Sequence, residues 1–318
     1  MIEPGGPRTA DAGSRWPAAA LAALVLVALA QPAPARDNFV LFEGEPPACM
    51  MVDGVVWLAA GRHWSYTNGE RCAIWQYDPV TDHETLYGDC KLPGRVCALG
   101  QTDSLIFAAG QGLSACSKRM KRWFSLSQYD TLMVEDMAVG DSVVWLATSG
   151  HGIVGVEARP WPNEVRSRIT RADGLASNRV LSLHLEGSTL FAGLYRFGDG
   201  VTERRHDLIG LGLQAVDTRS RSVRDIALPR ESLDHKDWLV TWVSRAPVDT
   251  HALRVVLWQP WESYYWDYRH ADSRVVKPED SRGPVEPALD ALNLGSDSLT
   301  RSRVRAFLAR HLSPAEQH

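Results

Sequence analysis

The chain has 318 residues, 45% of them apolar, and a formal charge of −4. That is enough apolar sequence for a large core, and a closed all-β domain of this size can be a single unit. Lys and Arg are scattered through the body, which excludes the basic stripe that nucleic acid would need.

Residues 1–35 read as a signal peptide. Ala18 to Ala30 is an uninterrupted run of 13 Ala, Leu and Val residues. A bilayer span takes about 20 residues. The run is followed by Gln31-Pro32-Ala33-Pro34-Ala35-Arg36, an Ala-x-Ala site, so cleavage is expected after Ala35. Arg8 and Arg15 are offset by Glu3 and Asp11, which leaves an uncleaved anchor as the alternative. The mature chain is expected to be periplasmic or secreted, with no stable membrane span.

From there a motif repeats. Val52-Asp53-Gly54-Val55-Val56-Trp57-Leu58-Ala59 sets a tight polar turn before an apolar pair, an aromatic and alanine. The pattern returns at Thr102 to Ala109, Gly140 to Ala147 and Glu186 to Gly193, so that Trp57, Phe107, Trp145 and Phe191 lie 50, 38 and 46 residues apart. Short strands repeating every 40 to 50 residues or so mark a β-propeller, with one four-stranded blade per repeat. The inner strand precedes each polar turn, the aromatic segment is the second strand, and a hairpin supplies the third and fourth. In the first blade that hairpin is Ala73 to Tyr77 and Glu84 to Tyr87, joined through Asp78-Pro79. It recurs at Leu213 to Val216 with Ser222 to Ile226, and at Tyr264 to Tyr268 with Ser273 to Val276. The last of these reveals a fifth, degenerate blade, with Trp238 to Val243 and Leu253 to Trp258 as its first two strands. The blades fall at roughly 44–93, 94–130, 131–174, 175–230 and 231–278 within a propeller domain spanning 36–278. Asn38 to Phe42 is left over, and it would remove an exposed edge by pairing with the last blade to close the ring. A sixth blade remains open if 36–48 and the tail build more.

The five cysteines are Cys49, Cys72, Cys90, Cys97 and Cys116. An exported chain can oxidise them, and an odd number leaves at least one unpaired or bonded between chains. No Cys-x-x-Cys spacing supports a metal site. A disulfide is expected between Cys72 and Cys90. A three-residue loop Val80-Thr81-Asp82 in the first hairpin gives opposed residues a position sum of 162, which matches these two cysteines. A two-residue loop gives 161 and puts them one place off, on opposite faces.

The tail, 279–318, reads as a Pro-rich linker and an amphipathic helix. Ser296-Asp297-Ser298 offers N-caps, and Leu299, Val304, Phe307, Leu308 and Leu312 recur at helical spacing beside Arg301, Arg303, Arg305 and Arg310. The helix either caps the propeller or touches anionic lipid.

The run Asp173-Gly174-Leu175-Ala176-Ser177-Asn178-Arg179-Val180-Leu181-Ser182-Leu183 resembles the repeat of two-component regulator propellers, in which Asp-Gly-Leu-Pro-Ser-Asn-x-Val joins one blade to the next. Ala176 stands where that family has Pro. The likeness covers one junction, roughly 172–194. It implies a propeller that is an extracytoplasmic sensing or binding module.

In most propellers the second-to-third and fourth-to-first connections return to the ligand-bearing end. Two of the former are long here, Gly61 to Arg71 and Leu194 to Asp207. Together with the shorter turns they gather His63, Trp64, Tyr66, His151, Tyr195, Arg196, Phe197, His206 and Trp261, the aromatic and polar mixture a ligand pocket needs. The leading reading is a noncatalytic binding module for a small ligand, a glycan or a protein. The alternative is a propeller lyase or glycoside hydrolase in which Glu70, Asp199, Glu203, His63, His151 or His206 act as acid and base. A purely structural assembly subunit is the third. No nucleophile elbow, His-Glu-x-x-His or glycine-rich phosphate loop is present, and no cofactor is expected.

Overall fold

The computed structural model describes residues 48–59, 74–87, 96–158, 164–198, 208–229, 237–245, 252–259, 262–268, 274–276, 285–292, 294 and 297–312. They form five four-stranded antiparallel sheets, each ordered as in the chain. The first holds β1 (Cys49–Val52), β2 (Val55–Ala59), β3 (Ile74–Asp78) and β4 (His83–Tyr87). The second holds β5 (Val96–Gln101), β6 (Leu105–Gly110), β7 (Gly112–Ser117) and β8 (Arg122–Ser125). In the third are β9 (Val134–Val139), β10 (Val143–Thr148), β11 (Ile153–Glu157) and β12 (Val165–Ile169). In the fourth are β13 (Val180–Glu186), β14 (Thr189–Phe197), β15 (Leu208–Asp217) and β16 (Val223–Ile226). The fifth holds β17 (Leu239–Arg245), β18 (Leu253–Gln259), β19 (Glu262–Tyr268) and β20 (Arg274–Val276). The expected all-β, five-bladed propeller is what the chain adopts.

Each repeated aromatic does the same job. Trp57 packs between the first and second sheets, Phe107 between the second and third, Trp145 between the third and fourth, and Phe191 between the fourth and fifth. All four are 7% exposed or less. The tight turn before the first of them carries positive φ at both Asp53 and Gly54, the hairpin geometry that sends β2 straight back along β1. In the fifth sheet Leu253, Val255 and Leu257 face the fourth sheet. Arg254 therefore takes the forward-facing place that Trp or Phe holds elsewhere, since side chains alternate along a strand.

The inner strands share a second irregularity. β5, β9, β13 and β17 are each bulged opposite the end of their second strand, with Cys97, Glu135, Leu181 and Thr241 as the extra residues. A bulge leaves backbone groups unpaired. Side chains of the preceding blade also reach the inner strands: Leu183 N–H donates to Asp136 Oδ2 at 2.8 Å, and Ser182 Oγ donates to the Val240 carbonyl at 2.9 Å.

The tail holds two helices, α1 (Val285–Leu292) and α2 (Ser298–Leu312). A helix at 285–292 departs from the expected linker. Pro287 is its third residue, where the N–H has no intrahelical acceptor and its loss costs little. Val304, Phe307, Leu308 and Leu312 are buried as expected, whereas Leu299 is 60% exposed and lies off the stripe. Both helices cover the face of the first sheet that turns away from the second, around Val56, Leu58 and Tyr77. Phe307 stacks on Tyr77 at 4.6 Å and 8°. Arg303 donates to the Pro79 and Val80 carbonyls at 2.7 and 3.1 Å. Glu84 accepts from Arg310 and faces His311 Nε2 at 3.2 Å. Burial pushes the Glu84 carboxyl up, but Arg310 and His311 outweigh it and hold it below the ordinary glutamate range.

In the first hairpin Ile74 opposes Tyr87 and Asp78 opposes His83, so opposed residues sum to 161. The connection is four residues long, held by Asp78, which accepts from Val80 N–H at 2.8 Å and Thr81 Oγ1 at 2.7 Å. The 162 alternative is thereby corrected. Cys72 and Cys90 themselves lie outside the described residues, as do the proposed signal peptide and the Asn38 to Phe42 strand.

Candidate functional site

One end of the blades is stitched by a repeated contact. In the second, third and fourth blades a glycine at or near the start of the third strand donates its N–H to the lead-in of the next inner strand: Gly112 to the Leu132 carbonyl at 2.8 Å, Gly152 to Asn178 at 2.8 Å, and Gly210 to Asp237 at 3.2 Å. Two β-bridges accompany it, Gln111 with Met133 and Ser149 with Arg179. The lead-in that carries the Asp-Gly-Leu-Ala-Ser-Asn run begins with a 3-10 turn at Arg171–Asp173, closed by a capping box between Thr170 and Asp173 and ended by Gly174 at φ 109°. A 3-10 turn at Ser127–Tyr129 opens the preceding junction in the same way without that sequence.

Two features sit on this end. The first is an aromatic and cationic cluster at the seam of the third and fourth blades. Tyr195 and Phe197, both expected from sequence, meet edge to face at 5.9 Å on β14. Arg179 stacks over Phe197 at 4.4 Å and donates to the Ser149 hydroxyl at 3.3 Å and its carbonyl at 3.4 Å. Tyr195 OH is 2.8 Å from Ser149 Oγ. Burial, and then the Glu135 carboxylate, push the Tyr195 phenol up to about 12, so it stays protonated and able to donate. Tyr195 is buried, Phe197 and Arg179 are half-buried, and Arg196 is exposed on the alternate side of the strand.

The second is a cleft of about 490 Å³ beside His151. Tyr129 and Leu132 line it from the junction between blades two and three, and Val165 and Arg168 from β12. The turn that carries His151 depends on Gly152, at φ 75°, where a Cβ would stand 2.1 Å from the Ile169 carbonyl oxygen. His151 N–H donates to Thr148 Oγ1 at 2.9 Å, which leaves the imidazole at the cleft.

The structure thus joins Tyr195 with Phe197 and sets His151 on the neighbouring turn. His63, Trp64, Tyr66, His206 and Trp261 lie outside the described residues. So do Glu70, Asp199 and Glu203, on which the lyase or hydrolase alternative leans. Sequence reasoning missed Ser149, Arg179 and the Glu164 and Arg168 walls of the cleft. Arg179 was within reach, as the variable residue of the junction run. Nothing in the sequence marked Glu164 or Arg168, because an outer strand is ordinarily polar.

No family model and no curated protein matches the chain. Among solved structures it is similar to the extracellular domain of a B. thetaiotaomicron protein described as a one component system, at a TM-score of 0.50 and 15% identity. That match covers 77% of this chain and 29% of the other, so the chain spans under a third of that structure. At this identity the likeness shows the propeller fold alone. A chain of the mitotic checkpoint complex matches at a TM-score of 0.47 and 12% identity over 89% of each, too weak a likeness to argue from.

Proposed function

We propose that the protein is an exported, noncatalytic propeller module that binds a ligand or partner at its stitched loop end, centred on Tyr195, Phe197 and Arg179. The observation that carries this reading is the half-buried Phe197 ring with the Arg179 guanidinium over it, held in place by Ser149 and the buried Tyr195 phenol. A fixed aromatic face beside a cation is a surface built for contact, able to stack on a sugar ring or to anchor a protein side chain. The Asp173 to Leu183 junction supports membership of the two-component regulator propeller family, and the family's extracytoplasmic modules support export. Cleavage after Ala35 would place the mature module in the periplasm or outside the cell. Among the described residues no helix is long and apolar enough to cross a membrane.

The test replaces Trp64, Tyr66, Arg196 and Phe197 together with Ala. Binding on an oligosaccharide array and pull-down of extracytoplasmic proteins should be lost while the thermal midpoint stays nearly unchanged. A large fall in the midpoint would show that these loops are packing elements.

A further inference from the structure

The third-to-fourth turns lie at the end of the blades opposite the stitched one, because the strands of each blade alternate in direction. Those of blades one, two and four share one geometry. The fifth residue of each turn has positive φ: Asp82 at 56°, Lys121 at 52° and Arg221 at 61°. In blades one and four the first residue is an aspartate whose carboxylate is spent on the turn. Asp78 accepts from Val80 N–H at 2.8 Å, and Asp217 accepts from Ser220 N–H at 2.7 Å. In blade two Ser117 takes that place, and its hydroxyl accepts from Met120 N–H at 3.1 Å. The turn is kept and the carboxylate is lost. Four cations remain around Met120, namely Lys118, Arg119, Lys121 and Arg122. Lys118 reaches back to Gln101 at 2.8 Å, and the other three are exposed. Asp103 is the one acid between Gly94 and Tyr129.

Apolar side chains project from the same end. Met120 is 62% exposed, and Val80 on the neighbouring tip of blade one is 79% exposed. Leu299 joins them through α2. That helix steps along β3, with His311 on Trp75, Phe307 on Tyr77 and Arg303 on the Pro79 and Val80 carbonyls. One turn before Arg303, about 6 Å along the axis, Leu299 stands past the tip. These three are the most exposed large apolar side chains among the described residues.

The geometry points to this end of the propeller as a docking surface for an anionic lipid membrane. The cations of blade two meet the headgroups, and Met120, Val80 and Leu299 enter the interface beside them. Single exposed apolar residues are ordinary, but three at one end beside an acid-free basic tip form a surface. They also choose the occupant. An anionic polymer would satisfy the cations and leave the apolar tips in water. The tail helix reaches lipid by Leu299 and not by its arginines, since Arg301, Arg305 and Arg310 pair with Asp290, Glu286 and Glu84. The surface is at the far end from Tyr195 and Phe197, so it stands apart from the loop-end reading.

Co-sedimentation of the exported protein with vesicles tests this. It should pellet with equal parts phosphatidylglycerol and phosphatidylcholine and stay in solution with phosphatidylcholine alone. Raising salt from about 0.1 to 0.5 M should release it, as the Debye length falls by about half. Arg119→Gln with Lys121→Asn should weaken partitioning roughly twentyfold, at about fivefold per surface charge. Ser117→Asp restores the carboxylate of the other two tips and should weaken it about fivefold. Met120→Ser with Leu299→Ser should weaken it at unchanged charge. All five residues lie at the surface, so thermal midpoints should not move. Partitioning that ignores the charge variants, or that neutral vesicles match, would overturn the inference. Retention on heparin that the serine variant leaves intact, without vesicle binding, would assign the tip to an anionic polymer and overturn it as well. The loop-end variant carrying Ala at Trp64, Tyr66, Arg196 and Phe197 should pellet as wild type does, so failure of one surface is told apart from failure of the other.

Discussion

Replacing Trp57 with Ala should cost the propeller about 3 to 5 kcal/mol, the range for truncating a buried Trp. The indole is 2% exposed and fills the gap between the first two sheets. It stacks on Tyr87 at 5.7 Å and 8°, and meets Trp123 at 6.4 Å and 66°. Each such aromatic pair adds roughly 0.5 to 1.5 kcal/mol beyond burial, which puts the loss toward the top of that range. Neither partner can follow the missing ring inward: Tyr87 is tied by its hydroxyl to Gln76 at 3.0 Å, and Trp123 sits on a paired strand. With a urea slope of about 2 to 3 kcal/mol per molar, the unfolding midpoint should fall by roughly 1 to 2.5 M, read by far-ultraviolet circular dichroism. Leu86→Ala, at a residue 50% exposed on the outer strand of the same sheet, is the control and should move it little. A Trp57→Ala midpoint within about 0.3 M of wild type would refute the view that the repeated aromatic wedges one blade against the next.

Phe307→Ala should destabilise the chain by a similar 3 to 5 kcal/mol and expose the first sheet to a hydrophobic dye, because Phe307 is fully buried on Tyr77. Burial, with Arg245 nearby, lowers the His184 imidazole from 6.5 to about 4, so the unfolded chain binds its proton first; stability should fall as pH drops from about 6.5 to 4, and His184→Asn should flatten that slope in denaturant titrations at stepped pH. Mature protein should begin at or near Arg36, and N-terminal sequencing that finds Met1 on a soluble cytosolic product would overturn export. Nonreducing peptide mapping of exported protein decides the Cys72–Cys90 bond, which the 161 register allows only through a bulge beyond Ile74 or Tyr87; thiols at both positions would refute it.

The junction run at Asp173 to Val180 and the turn-aromatic motif were enough to read the architecture, since hairpin turns and strand alternation are local. The same locality explains the tail: helical spacing at Val304, Phe307, Leu308 and Leu312 showed the stripe, while Pro287 hid α1 because proline breaks a helix interior but not its first turn. The candidate site was only half legible. Tyr195 and Phe197 stand two residues apart on one strand, so a period of two joins them. Ser149 and Arg179 come to them from another blade and a junction.

What the sequence by itself determined is therefore the repeat and its blade limits, set by turn chemistry and periodicity within some fifty residues. Tertiary structure alone decided what meets across a seam. It gave Arg254 the place that an aromatic holds in the other four blades, and laid two helices against Val56, Leu58 and Tyr77 on the first sheet. It also brought Tyr129 and Leu132 to one cleft with Glu164 and Arg168. The reason is that such contacts join segments far apart in the chain, and their free energy depends on the close-packed fit of whole sheets, which no local pattern encodes.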